Sequence, residues 1–281
     1  MSLSSGPRAP DKHERLARVY DAEVWPLLGQ RFSQMLLRSV EPRPGAAVLE
    51  VGSATGSTTV ELLRRFDADS RITAVDQPPL IALARRRLEG DAAAAARVTL
   101  VPGSLPLPFP AASFDVCLAH PTIGDETDPI DLVAELSRVL RPGGQLVAGL
   151  LLRGTWAELL DIYRDVLEEN KKPDSLTALG DYINAFPDGE MAATLLEQAD
   201  LHKVEVALER WELLFKSARE FFFAPAIELG PLSRWKQMAG RGEEMQDIFF
   251  FVKEAIDAYF AGGAFAVTVV AGCVKGWKPK K

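Results

Sequence analysis

Apolar residues at helical spacing open the chain. Between Asp11 and Val40 they fall at Leu16, Val19, Tyr20, Leu27, Leu28, Phe32, Met35 and Leu36, which predicts two helices broken near Pro26. The turn "EPRPG", Glu41–Gly45, leads into a different rhythm of short apolar runs alternating with helical patterns. Strands are predicted at Ala47–Val51, Arg71–Val75, Val98–Val101, Phe114–Ala119 and Gln145–Leu151. Helices are predicted at Ser57–Phe66, Leu80–Leu88 and Pro129–Leu140, with "DAAAAA" as a helix end and "RPGG", Arg141–Gly144, as a turn. Such alternation builds a parallel sheet covered by helices on both faces.

The pattern changes after Leu151. Helices are predicted at Trp156–Glu169 and Gly189–Ala199, then a strand at Lys203–Phe215. A helical insert follows over 217–261, and a last strand at Phe265–Val274. A strand, an excursion and a closing strand predict an antiparallel hairpin at one sheet edge. Residues 1–10 read as a flexible tail and 11–276 as one domain: an N-terminal helical lid (11–45), a ligand-binding core (46–152), and the helices, closing hairpin and insert (153–276).

Composition narrows the function classes. Across 281 residues, 47% are hydrophobic and 25% charged, which excludes wholesale disorder. A net charge of -7 argues against a nucleic-acid partner. The two cysteines, Cys117 and Cys273, lie in strand-like runs and read as buried free thiols of a reducing, cytoplasmic compartment. No ligand spacing suggests a metal site. The amino terminus lacks a signal-peptide core, and no apolar run is long enough for a membrane span.

The chemistry concentrates where the first strand ends. Gly52-Ser53-Ala54-Thr55-Gly56 forms a small-residue turn before a helix, the place where open α/β sheets bind ligands. Ala54 and Ser57 stand where a dinucleotide loop needs glycines, and no Walker lysine is present. Glu50 beside the turn would repel a pyrophosphate and suits a cationic amino group. Asp76, ending the second strand, can accept both hydroxyls of a ribose, with Gln77 flanking the base. Gly103, Ser104 and Leu105 follow the third strand and can line the far side of an adenine.

The segments "VLEVGSATG", "ITAVD", "LPLPFPAASFDVCLA" and "LSRVLRPGGQLV" stand in the order of the class I S-adenosylmethionine-dependent methyltransferases. The chain resembles that family from about Val19 to Leu151, especially its quinone-biosynthesis and small-molecule branch. The resemblance implies a Rossmann-like α/β sheet of seven strands, order 3-2-1-4-5-7-6, with the last strand antiparallel. It implies S-adenosylmethionine at Glu50, Gly52, Ser53, Ala54, Gly56, Asp76, Gln77, Gly103, Ser104 and Leu105. Two positions depart from the family pattern: Ala54, usually glycine, and Ser104, often acidic. Both imply weaker cofactor binding rather than none.

Beyond the cofactor, His120 ends the fourth strand on the rim where a methyl acceptor would sit. A general base and an ordinary loop histidine are both open readings there. Tyr20 and Trp25 lie on the lid, and Tyr20 is a candidate acceptor contact. Asp125 and Glu126 read as solvated or capping, and His13 and His202 receive no role. Nine of fourteen phenylalanines lie between Phe215 and Phe265, which suggests an apolar acceptor pocket or a surface for a homodimer or protein partner. The reading is methyl transfer to a small, fairly apolar acceptor. Its rival is an inactive methyltransferase fold that binds a partner through the insert, and a nicotinamide oxidoreductase is disfavoured by the missing glycines and Glu50.

Overall fold

The structure, a computed structural model, describes residues 18–121 and 128–280. His13, Asp125 and Glu126, and the tail at 1–10, lie outside the described residues. Two helices come first: α1 (Tyr20–Gly29) and α2 (Gln30–Ser39). The alternating region follows as β1 (Ala47–Val51), α3 (Ser57–Arg65), β2 (Arg71–Asp76), α4 (Pro78–Leu88), α5 (Ala92–Ala95), β3 (Val98–Pro102), β4 (Phe114–Ala119), α6 (Pro129–Val139) and β5 (Leu140–Leu151). Next come α7 (Ala157–Glu169), α8 (Pro173–Asn184), α9 (Gly189–Gln198) and β6 (His202–Phe215). The insert holds α10 (Ala218–Phe222), α11 (Pro225–Glu228), α12 (Leu232–Met238) and α13 (Glu243–Tyr259), and β7 (Phe265–Trp277) closes the order.

The strands form one Rossmann-like sheet of order β3-β2-β1-β4-β5-β7-β6. β1 through β5 pair in parallel, and β7 runs antiparallel to both β5 and β6. The register places Val51 beside Val75 and Ala119, so the loops after β1, β2 and β4 leave the same edge of the sheet. Side-chain alternation along the strands feeds two cores. Val48, Ile72, Val116 and Leu118 meet α2, α3, α7 and the insert, whereas Leu49, Val75 and Cys117 meet α6 and α9. Cys117 and Cys273 are buried free thiols, and burial pushes both pKa values upward.

Three expectations are corrected, and one helix is added. The chain does not break at Pro26: α1 is wound as a π-helix containing it, and the Gln30 N–H donates to the Trp25 carbonyl five residues back. Gly29 then continues in right-handed helical geometry into α2. "RPGG" belongs to an early, bulged start of β5, with Gly143 at φ +76°. The "DAAAAA" segment is its own single turn, α5, whose first turn is capped by the Asp91 carboxylate accepting from the Ala94 N–H. Helix α8 was missed, because only Leu179 and Tyr182 of its residues are buried and the apolar stripe is thin.

The phenylalanine cluster does not enclose an acceptor pocket. Phe215, Phe221 and Phe265 are buried with Trp235, and Phe221 stacks on Trp235 at 5.9 Å between ring centroids. No water-sized space remains among Leu159, Tyr163, Phe222, Trp235, Phe249 and Val252. Runs of three phenylalanines divide between core and surface: Phe221 and Phe222 point inward, while Phe223, Phe250 and Phe251 are exposed. The buried part also braces α1, whose Val24 and Leu28 join the same core as Ala226 and Ile227 of α11.

Candidate functional site

The loop from β1 to α3 alternates left-handed residues: Gly52 at φ +75°, Ala54 at +47° and Gly56 at +82°. A Cβ on Gly52 would lie 3.2 Å from the His120 Cβ, and one on Gly56 would lie 3.1 Å from the Ala84 Cβ. Glycine is thus required twice over, by conformation and by close approach. The Gly52 and Ser53 N–H groups donate to the Val75 carbonyl at 3.0 and 3.3 Å, and Gly56 donates to the Ser53 carbonyl at 2.9 Å. These bonds fix the loop against β2. The Ser53 hydroxyl is buried and has no hydrogen-bond partner among the described residues.

Asp76 closes the loop from the β2 side. One carboxylate oxygen accepts from the Ala54 N–H at 2.6 Å and the other from the Gln77 N–H at 2.7 Å. Burial raises the Asp76 pKa, partly offset by those two donors and by His120. Each oxygen keeps a second lone pair for a further donor. Gly103 donates to the Asp76 carbonyl at 2.9 Å, and open space surrounds its Cα. Ser104 and Gln77 are exposed beside it, and Leu105 is half-buried.

Glu50 sits beneath the loop and is completely enclosed. Its carboxylate accepts from the Thr59 hydroxyl at 2.6 Å and meets the His120 Nε2 at 3.2 Å. Its partners here are the side chains of Thr59 and His120. The His120 backbone N–H donates to the Val51 carbonyl at 2.9 Å, which fixes the end of β4 against β1, while Glu50 holds the ring. Tyr20 lies on α1 and belongs to the same neighbourhood. Burial, followed by the charges of Asp76 and Asp21, raises its pKa, so its hydroxyl remains protonated.

Sequence reasoning missed the residues that fasten α1 over the loop. Asp21 accepts from the Thr55 hydroxyl with one oxygen and from the Arg87 Nη2 at 2.7 Å with the other. Arg87 reaches back from α4 to the Thr55 hydroxyl at 3.3 Å and to the Ser57 hydroxyl. Asp21 adjoins Tyr20 in sequence, but Thr55 and Arg87 are 34 and 66 residues away, and no local pattern joins them. Among the described residues no group of three or more potential ligands is gathered for a metal ion, and no helix is long and apolar enough to cross a membrane.

Residues 49–148 match the family model described as a methyltransferase domain. The ubiquinone/menaquinone biosynthesis C-methyltransferase UbiE of Dinoroseobacter shibae is 32% identical over 174 residues, covering 58% of this chain and 69% of that protein. The malonyl-[acyl-carrier protein] O-methyltransferase of Serratia marcescens is 31% identical over 153 residues, covering 54% of this chain and 56% of that protein. A methyltransferase structure from Bacillus halodurans superposes with a TM-score of 0.56 at 17% identity, covering 88% of this chain and 99% of that one, which shows the fold. A glycine loop after β1, an acidic end to β2 and the 3-2-1-4-5-7-6 sheet define an S-adenosylmethionine-dependent methyltransferase. The chain belongs to that family, class I.

Proposed function

We propose that the chain moves the methyl group of S-adenosylmethionine to a small, fairly apolar acceptor, with His120 taking the acceptor's proton. The observation that carries this reading is the Glu50–His120 contact beside Gly52. A carboxylate-held imidazole stands at the end of β4, next to the loop that would hold the cofactor. With Nε2 turned to Glu50, Nδ1 is the nitrogen left to accept a proton. The C-methyltransferase relative supports a quinone-like acceptor, and the carrier-protein O-methyltransferase supports transfer to oxygen.

The residues fit the cofactor. The orphaned Ser53 hydroxyl, the open flank of Gly103 and the spare lone pairs of Asp76 are what a nucleoside with hydroxyl and amino donors would satisfy. Asp76 would accept from the ribose hydroxyls, Gln77 and Leu105 would border the adenine, and Ser53 and Ser104 would offer hydroxyls to it. Bound there, S-adenosylmethionine supplies an electrophilic methyl group. The protein's part is to orient the acceptor in line, keep water out with α1 and Tyr20, and receive one proton at His120. The partner-binding alternative keeps only the exposed Phe223, Phe250 and Phe251, because the other phenylalanines of the insert pack into a core.

The test is product formation. Purified protein is mixed with S-adenosylmethionine and a hydroxylated quinone, a phenol or a carboxylate-bearing thioester, and S-adenosylhomocysteine is counted. Turnover with one class, lost in His120→Ala while S-adenosylhomocysteine still binds, is the expected result. Equal turnover in His120→Ala would remove His120 from the reaction.

A further inference from the structure

An open cleft lies outside the glycine loop. It has a volume of about 650 Å³ and runs along the outer flank of α3, walled by α1 and α2. That volume suits a molecule of nucleotide size. Four arginines line it from three separate elements: Arg38 of α2, Arg64 and Arg65 of α3, and Arg87 of α4. Trp25 lines it too, its six-membered ring packed on Gly29, where a Cβ would lie 2.5 Å from the ring.

Carboxylates pair three of the four arginines, and the fourth is left. Arg64 pairs with Glu61 inside the cleft, Arg38 with Glu209 and Arg87 with Asp21, all partly exposed. Arg65 donates to the Leu37 carbonyl at 2.6 Å, and among the described residues it meets no carboxylate. Arg65 is exposed, and with only a neutral carbonyl partner it has donors to spare for an anion. The forked geometry of guanidinium matches phosphate oxygens two at a time, and an indole wall gives a flat ring somewhere to lie.

We infer that this cleft binds a phosphate-bearing small molecule with a flat ring, of the nucleoside diphosphate class, separately from the cofactor loop. Arg65 and Arg64 would grip the phosphates, and Trp25 would cover the ring. The Asp21–Thr55–Arg87 contacts join the cleft's edge to the end of the glycine loop, so the titration is run with the cofactor loop already filled.

The probe is UDP, which lacks adenine and so avoids the cofactor loop. Calorimetric titration of the full chain saturated with S-adenosylhomocysteine should give saturable UDP binding that weakens with salt, and none with uridine. Arg65→Gln and Arg64→Gln should each weaken UDP by about tenfold or more, the usual loss for a charged hydrogen bond. Arg64 is exposed and bonds only Glu61, so its variant leaves the fold intact if Arg65→Gln does not. Arg234→Gln, outside the cleft, should bind like wild type. Absence of UDP binding at millimolar concentration would overturn the inference. So would equal binding of uridine and UDP, or wild-type affinity in both arginine variants.

Discussion

The Ala54 N–H donates to the Asp76 carboxylate at 2.6 Å, joining the loop after β1 to the end of β2. Ala54 makes this bond from a left-handed backbone at φ +47°. For a residue with a Cβ that conformation costs about 1–2 kcal/mol. Ala54→Gly relieves it but gives up one buried methyl, worth about 0.8 kcal/mol, and frees the unfolded chain. The opposing effects are of similar size, so the melting temperature should change by no more than about a few degrees. Cofactor affinity should rise, because the methyl is removed from the floor of the loop. Calorimetry with S-adenosylhomocysteine beside a thermal melt checks both.

Asp76→Ala removes the acceptor of two backbone donors and of the proposed ribose contacts. Hydrogen bonds to a charged group are worth about 1.5–3 kcal/mol each, so two of them predict a loss of cofactor affinity on the order of a hundredfold or more. Titration with S-adenosylhomocysteine measures it. Affinity within a factor of a few of wild type would place the ribose elsewhere.

Glu50 is argued to act through His120, and its variants should show that division of labour. Glu50→Gln keeps the shape and an acceptor for Thr59, so cofactor binding should hold while turnover falls. Glu50→Ala leaves the Thr59 hydroxyl and the His120 ring without their buried partner, at about 1–3 kcal/mol for each unsatisfied group. It should lower the melting temperature as well as turnover. A fall in cofactor affinity equal to the fall in kcat in Glu50→Gln would show that the carboxylate serves the cofactor directly.

The helix α1 should be a locally fastened element. Asp21→Asn weakens the contact to Arg87, and since both side chains are about one-third exposed the global loss should stay under about 1 kcal/mol. Hydrogen exchange should nevertheless quicken at Val24 and Leu28, while amides of β1 and β4 keep their protection. Uniform quickening across the sheet would show that α1 is part of the cooperative core.

Much of this was legible in the sequence because it is local. The strands, Gly52, Gly56 and Asp76 follow from short apolar runs and the small or acidic residues that end them. The closing hairpin was legible because two long apolar runs flank the insert. What escaped was of two kinds. Pro26 would break an α-helix, and the wider π winding tolerates it. The Glu50–His120 and Asp21–Arg87 pairs span 70 and 66 residues, and only the folded sheet brings such partners together. The aromatic runs are a third case: composition does not distinguish a satellite core from a pocket or a partner surface, and the structure divides them between core and surface.

Acid stability should depend on Asp67. Its pKa is lowered, first by the Ser70 hydroxyl and then by the Gly45 N–H, where the turn before β1 meets the start of β2. A carboxyl with a lowered folded-state pKa adds stability above its unfolded value, about 3.9, and loses it as pH falls through the folded value. Its contribution is thus intact at neutral pH and fades only in the acid range. Asp67→Asn should lower stability at neutral pH and flatten the acid limb of the stability curve, since the ionisation is gone. Denaturant melts at neutral and acid pH measure this. If the difference between wild type and variant is the same at both, the Asp67 charge does not set the slope, and the bonds to Ser70 and Gly45 act only through their geometry.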